Sequence, residues 1–280
     1  MYHETLCAVG DAARKKVDWF KSNPLGYFVS SMLAGAYVGI GVFLAFVVGS
    51  SFTDGHSPWQ RIAMGASFAV ALSLVVFAGA ELFTGNNLAM VVGYFRHKTS
   101  YLHLASIWTV SWIGNLCGAV LLAFLLYYSS ALNGNTEMSL VQQIAEKKMH
   151  LSVVELLCRA ALCNWLVCLG VWCTYRMKSE AGKLIMIFWC LYAFVALGFE
   201  HSVANMASLA LSLLQPHTAA ISWYGMIYNL FWVSIGNIIG GAIFVGAAYL
   251  IAGRQFTETC EIIDASPSIT VDYQKRIEFK

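Results

Sequence analysis

Apolar residues fall along the chain in six long runs, about 25–50, 60–95, 101–132, 153–177, 183–214 and 221–252. Each supplies the roughly 20 apolar residues that a membrane-crossing helix needs, so the pattern predicts six membrane helices. The second and fifth runs are longer than a span requires. Polar clusters interrupt both: Glu81, Thr84, Asn86 and Asn87 in one, Glu200, His201, Ser202 and Asn205 in the other. Residues 1–24 carry Glu4, Asp11, Arg14, Lys15, Asp18 and Lys21 in an amphipathic pattern. They predict a surface helix that enters the first span at Asn23-Pro24. No short apolar region ends in a small-residue cleavage site, so no cleavable signal is expected. The polar stretch 133–152 reads as an amphipathic re-entrant segment, and 254–280 as a polar tail with little structure of its own.

An even number of spans puts both termini on one side. Arg14, Lys15, Lys16 and Lys21 precede the first span, Arg96 and Lys98 follow the second, Arg176, Lys178 and Lys183 the fourth, and Arg254 the sixth. The other side has only Arg61, Lys147 and Lys148. The positive-inside rule therefore predicts cytoplasmic termini in a multi-pass protein of the cell (inner or plasma) membrane. Residues 1–24 are then a cytoplasmic helix, 25–253 the membrane domain and 254–280 a cytoplasmic tail.

Composition narrows the class. Of 280 residues, 59% are hydrophobic and 11% charged, with mean hydropathy +0.65. A soluble domain carries about 25% charged residues, so too few are present to cover a water-facing surface. Disorder is excluded by the hydrophobicity. A net charge of +2 leaves no footprint for nucleic acid. Cys117, Cys158, Cys163, Cys168, Cys173 and Cys190 lie in apolar runs, where thiols act as small hydrophobes. The four from Cys158 to Cys173 recur every five residues, about 140° apart on a helix, and cannot gather on one metal. No metal or cofactor is expected.

The halves of the chain resemble each other. Glu81-Leu82-Phe83-Thr84-Gly85-Asn86 parallels Glu200-His201-Ser202-Val203-Ala204-Asn205, both Glu-x4-Asn. Ile113-Gly114-Asn115-Leu116-Cys117-Gly118 parallels Ile235-Gly236-Asn237-Ile238-Ile239-Gly240, both Ile-Gly-Asn-x-x-Gly. The order and the offsets, 119 and 122 residues, point to a duplication of 25–132 as 153–252. Three spans per half is odd, so the second half enters from the opposite side. Such inverted repeats place a permeation site near the midplane, on interrupted helices.

A carboxylate in mid-membrane costs at least ~2.5–3.5 kcal/mol unless paired, protonated or facing a wet interior. Glu81 and Glu200 are read first as braces that accept the N–H groups freed where a helix breaks, with Asn86 and Asn205 helping; a proton relay is the alternative. His201 is the one histidine deep in a span. Its imidazole can lend a hydrogen to a passing solute, or it is a buried neutral ring bonded to Asn or Thr. Thr84 offers a hydroxyl, and Gly85-Asn86-Asn87 beside it predict a loop. Arg159 pairs with Glu155 or snorkels, with no transport role. Lys147 and Lys148 are solvated charges or, near a pore mouth, concentrate anions.

Ala80-Glu81-Leu82-Phe83-Thr84-Gly85-Asn86, Leu162-Cys163-Asn164-Trp165-Leu166-Val167 and Gly198-Phe199-Glu200-His201-Ser202-Val203-Ala204-Asn205-Met206 resemble the signature segments of the formate/nitrite transporter family over about residues 10–253, nearest its hydrosulfide branch. The resemblance implies an all-α, aquaporin-like fold, assembled as a homopentamer in the lipid bilayer with a pore in each protomer. It implies that Thr84 hydrogen-bonds toward the central His201. Leu72 and Phe68 match an apolar constriction at the cytoplasmic side. Leu82, Phe83 and Phe194 match narrowings elsewhere, Asn164 and Val167 the pore lining, Asn237 the asparagine of the sixth span, and Lys148 the outer-vestibule lysine.

The expected function is a pore for small monovalent anions of weak acids, hydrosulfide first, formate or nitrite otherwise. Lys148 draws the anion in, and charge reversal there is expected to lower entry. His201 shares or donates a proton so that the species crossing the apolar section is partly or wholly neutral. Proton-coupled uptake is a variant of the same reading. An aquaporin-type channel for neutral solutes is the alternative, disfavoured because the Asn-Pro-Ala pair is absent. A membrane enzyme finds no nucleophile–base spacing to support it.

Overall fold

The computed structural model describes residues 2–52, 57, 59–132 and 134–253, and is helical throughout with no strand among them. The tail expected at 254–280 lies outside the described residues. In chain order the helices are α1 (His3–Ser22), α2 (Pro24–Ser50), α3 (Trp59–Gly79), α4 (Phe83–Phe95), α5 (Tyr101–Ser129), α6 (Asn135–Met149), α7 (Val153–Arg176), α8 (Glu180–Ala196), α9 (Ser202–Leu214) and α10 (Trp223–Ala252).

Local chemistry sets the boundaries. The Asn23 side chain accepts from the Gly26 N–H at 2.8 Å and Pro24 opens α2, so the turn from surface helix to span is capped at its first residue. Ser100 and Ser152 start α5 and α7 with reciprocal capping boxes to His103 and Glu155. Ser179 and Ser222 cap α8 and α10. Five helices, α2, α3, α5, α7 and α10, are long and apolar enough to cross a membrane. The second span is α3 followed by α4, and the fifth is α8 followed by α9, so the six spans include two broken ones.

The fold is aquaporin-like, with two three-span halves inverted relative to each other. The outward faces are apolar: Leu25, Leu125, Tyr128 and Ile227 are all exposed. The interior is where polarity concentrates, with Glu81, Asn86, Asn115, Glu200, Asn205 and Asn237 all buried. That inversion of a soluble protein's pattern fits a solvent of lipid outside and a polar path within. The helices α1 and α6 sit at opposite ends of the bundle. The first leads directly into the N-terminal end of α2, while Leu140 of α6 packs beside Gly49 near the C-terminal end. Each buries one face, Leu6, Val9, Ala13 and Val17 in α1 and Leu140, Val141, Ala145 and Met149 in α6. Helix α1 thus precedes the first span, and helix α6 lies between the third and fourth.

Candidate functional site

The breaks in the second and fifth spans are built alike. Helix α3 ends at Gly79, which takes φ +81°, and the Ala80 N–H reaches back five residues to the Val75 carbonyl at 3.0 Å. Helix α8 ends at Ala196 and a turn over Leu197 and Gly198 follows; Gly198 takes φ +73°, and the Phe199 N–H reaches back five residues to Phe194 at 3.0 Å. Both are glycine C-terminal caps in which a left-handed residue lets the chain turn out of the helix. Three residues outside any helix, with Ala80, Leu82 and His201 extended, then precede the next helix, which begins at Phe83 and at Ser202. Glu81 donates its N–H to the Ser30 carbonyl and Glu200 to Arg159, each at 3.3 Å.

Further backbone groups at the breaks are taken by two asparagines. Asn115 accepts from the Phe83 N–H at 2.9 Å and donates to the carbonyls of Glu81 and Ser31 at 2.9 and 2.7 Å. Asn237 accepts from the Ser202 N–H at 2.9 Å and donates to the carbonyls of Glu200 and Ala160 at 3.0 and 2.9 Å. Main-chain groups freed at the breaks are thus paired inside the membrane span by side chains of the fold.

The two carboxylates act differently from the expectation. Neither accepts a backbone N–H among the described residues. Glu81 is held by Lys16 at 2.6 Å, by the Tyr27 hydroxyl at 2.8 Å and by Asn86 at 3.3 Å. Glu200 is held by Lys148 at 2.8 Å and Asn205 at 2.7 Å. Asn205 also accepts from Lys148 and donates to Asn229, which donates in turn to the Lys148 carbonyl. The bracing therefore runs from carboxylate to a lysine of a flanking amphipathic helix, α1 at one end and α6 at the other. Lys148 is ion-paired, not a free vestibule charge as the sequence suggested.

Between the breaks lie His201 and Thr84. Imidazole Nε2 is 3.0 Å from the Thr84 hydroxyl, and Nδ1 accepts the Ala204 N–H at 3.1 Å as the N-cap of α9. With Nδ1 engaged as acceptor, the neutral ring carries its proton on Nε2 and donates to Thr84 Oγ1. The threonine hydroxyl retains its own hydrogen to donate. Phe194 stacks on the His201 ring with centroids 5.9 Å apart, and Phe68 meets Phe194 edge-on at 5.4 Å.

Two open cavities approach this section. One, of about 470 Å³, opens at the α6 end and is lined by Phe68, Phe194, Glu200 and His201 with Lys147 and Lys148. The other, of about 360 Å³, opens at the α1 end and is lined by Lys16, Leu72, Glu81, Leu82 and Asn86. Thr84 is buried and lines neither; it lies behind His201, which borders the α6-end cavity and is hydrogen-bonded to it. The arrangement can admit a small solute from either end to a short apolar passage with one hydrogen-bond donor pair in it.

Several expected residues fall elsewhere than expected. Phe68 and Leu72 do not form one constriction: Phe68 faces the α6-end cavity and Leu72 the α1-end one, because four residues on α3 separate them by a full turn along the pore. Leu82 lines the α1-end cavity, whereas Phe83 is packed in the core. Thr84, Gly85, Asn86 and Asn87 are the first turn of α4 instead of a loop. Burial and bonds tie them down: Asn86 bonds Tyr27 and Glu81, and Asn87 accepts from Asn164 at 3.0 Å. Asn164 spends its amide on Thr84, Asn87 and Asn237 and, like Val167, lines neither cavity. Arg159 pairs with Glu155 at 3.2 Å.

Sequence reasoning missed Lys16, Tyr27, Asn115 and Asn229. The signal for Asn115 was present, since it occupies the repeated Ile-Gly-Asn-x-x-Gly. Nothing in the sequence marks Lys16 among the neighbouring Arg14 and Lys15 as the one that turns inward.

The profile of the formate/nitrite transporter family matches residues 3–251. The nitrite transporter NirC of Escherichia coli strain K12 is 39% identical over 254 residues, 90% of this chain and 92% of its own length. A probable formate transporter of Methanothermobacter thermautotrophicus is 37% identical, over 81% of this chain and 88% of its own. Among solved structures, an FNT family ion channel superposes with TM-score 0.85 at 38% identity, covering 89% of this chain and 99% of that one. A pentameric formate channel with formate bound superposes with TM-score 0.74 at 27% identity, covering 83% and 98%.

Proposed function

The chain belongs to the formate/nitrite transporter family, whose members are transport channels and not enzymes, and we propose that it passes nitrite, and next to it formate, between the two cavities by way of the Thr84–His201 pair. The relatives named above carry nitrite and formate in their names, which orders the substrates. Hydrosulfide, which the sequence resemblance put first, becomes the third candidate. By likeness to the pentameric channel, five protomers form a ring with one pore each. The excess of basic residues at the α1 end supports a cytoplasmic position for that end.

The hydrogen bond at 3.0 Å between the two helix breaks carries the reading. A bare anion crossing the apolar section between Phe68–Phe194 and Leu72–Leu82 would lose its hydration at a cost of many kcal/mol. Thr84 answers with a hydroxyl hydrogen that His201 strengthens from behind, since a chain of donors polarises its members. The ring shares its hydrogen and does not surrender it. Nδ1 is occupied by the Ala204 N–H, so giving up the Nε2 proton would leave an imidazolate. The conjugate base of a weak acid is a strong hydrogen-bond acceptor and is favoured by this device over chloride. Asn164, Asn237 and Asn115 hold the donor pair in place through the backbone on either side of it.

The test is a competitive flux panel on purified protein in liposomes, with nitrite, formate, hydrosulfide and chloride across pH. Nitrite and formate should outrun chloride, and His201→Ala or Thr84→Val should abolish that preference. Equal selectivity and an unchanged pH response in both variants would refute the donor-pair mechanism. Osmotic swelling without anion flux would favour the neutral-solute alternative.

A further inference from the structure

We propose that Arg61 is a capture site for planar monoanions with two oxygens on one atom, and that it favours nitrite and formate over hydrosulfide before any of them reaches the helix breaks. The inference deepens the function proposed above and rests on it.

Charge is distributed unequally between the two cavities. The α1-end cavity has Lys16 opposed by Glu81. The α6-end cavity is lined by Arg61, Lys147, Lys148 and Arg159, with Glu200 as the one acidic residue in its lining. Lys148 is bound by Glu200 and Arg159 by Glu155. Among the described residues Arg61 makes no ion pair or hydrogen bond, so none of its five guanidinium donors is spent on them.

Its position is also unusual for a cation. Arg61 is the third residue of α3, in a first turn that holds no acidic side chain. The partial positive charge of a helix N-terminus disfavours a cation there, and an anion relieves both at once. The guanidinium does not point away from the pore. Its Nη1 stands 3.9 Å from where a side-chain carbon on Gly198 would lie, at the second break and three residues before His201. Gly198, already required for its left-handed φ, leaves that approach open.

The shape of the head group decides which anions benefit. A guanidinium presents two parallel N–H bonds that match two oxygens on one atom, as in nitrite and formate. Hydrosulfide offers one sulfur and gains only from the charge. The site is open to water, so binding is weak, as a conducting pore needs if the ion is to leave again. An ordinary solvated surface arginine would make the same contribution as a lysine, and that is the alternative to be tested.

Reconstituted protein with Arg61→Lys and Arg61→Gln separates the cases by concentration-dependent flux of each anion. Arg61→Lys keeps the charge and loses the fork. It should raise the half-saturating concentration of nitrite and formate about three- to tenfold, leave their maximal rates within about twofold, and leave hydrosulfide unchanged. Arg61→Gln should raise the half-saturating concentration for all three. The unchanged maximal rates report a folded pore. If Arg61→Lys matches wild type for nitrite and formate, or shifts all three anions alike, the capture site is wrong while the proposed function stands. If wild type conducts none of the anions, both fall.

Discussion

Breaking the Lys148–Glu200 pair should cost more than breaking its counterpart Lys16–Glu81, and the difference follows from burial. Glu200 and Lys148 side chains are 3% and 19% exposed, against 10% and 20% for Glu81 and Lys16. At 2.8 Å and an effective dielectric of about 20, the attraction between Lys148 and Glu200 is about 6 kcal/mol before desolvation is subtracted. Removing one partner of a buried pair costs about 3–5 kcal/mol, mostly because the other charge is stranded. Asn205 would keep one bond to the stranded group in either single variant, so the loss falls at or just below the bottom of that range. Lys148→Met, Glu200→Gln and the double variant, unfolded thermally in detergent, give a coupling energy from the cycle. We expect about 2–3 kcal/mol, with the double variant more stable than the sum of the singles implies. At Lys16–Glu81, Tyr27 and Asn86 both remain on the carboxylate, and about 1–2 kcal/mol is expected. Additive losses at the α6 end, or a larger coupling at the α1 end, would refute the idea that these lysines brace the breaks according to their burial.

Gly79→Ala should lower stability by about 1–2 kcal/mol from its left-handed φ alone, because nothing lies within 4 Å of the added carbon; a neutral result in a thermal scan would contradict the cap. Asn237→Ala strands the Ser202 N–H and the Glu200 carbonyl at about 1–3 kcal/mol each, and Asn115→Ala should match it within about 1 kcal/mol since its bonds are equivalent. Thr84→Ser should retain nitrite flux and Thr84→Val lose it at least about tenfold, by analogy with other preorganised donors; equal flux in the two would remove the hydroxyl from the mechanism.

Much of this molecule is legible without coordinates. Six spans follow from six apolar runs because lipid tolerates only a backbone that satisfies itself within the segment. The two mid-span clusters and their 119-residue offset place the breaks, since Glu81 and Glu200 are too costly to leave in an ordinary lipid-facing helix. His201 stands out for the same reason. The structure alone decided who satisfies whom. Lys16 and Lys148 belong to polar helices outside the spans, and their partners lie 65 and 52 residues away. Whether a lysine is solvated or turned inward depends on how α1 and α6 dock, which no local spacing encodes. The same holds for Phe68 and Leu72, neighbours in sequence that face different cavities, and for the turn after Phe83, which Gly-Asn-Asn predicted as loop and buried partners made helix. Local energetics are written in residue order, but the choice of hydrogen-bond partner inside a membrane is made by packing, because every buried polar group must find another group from the fold.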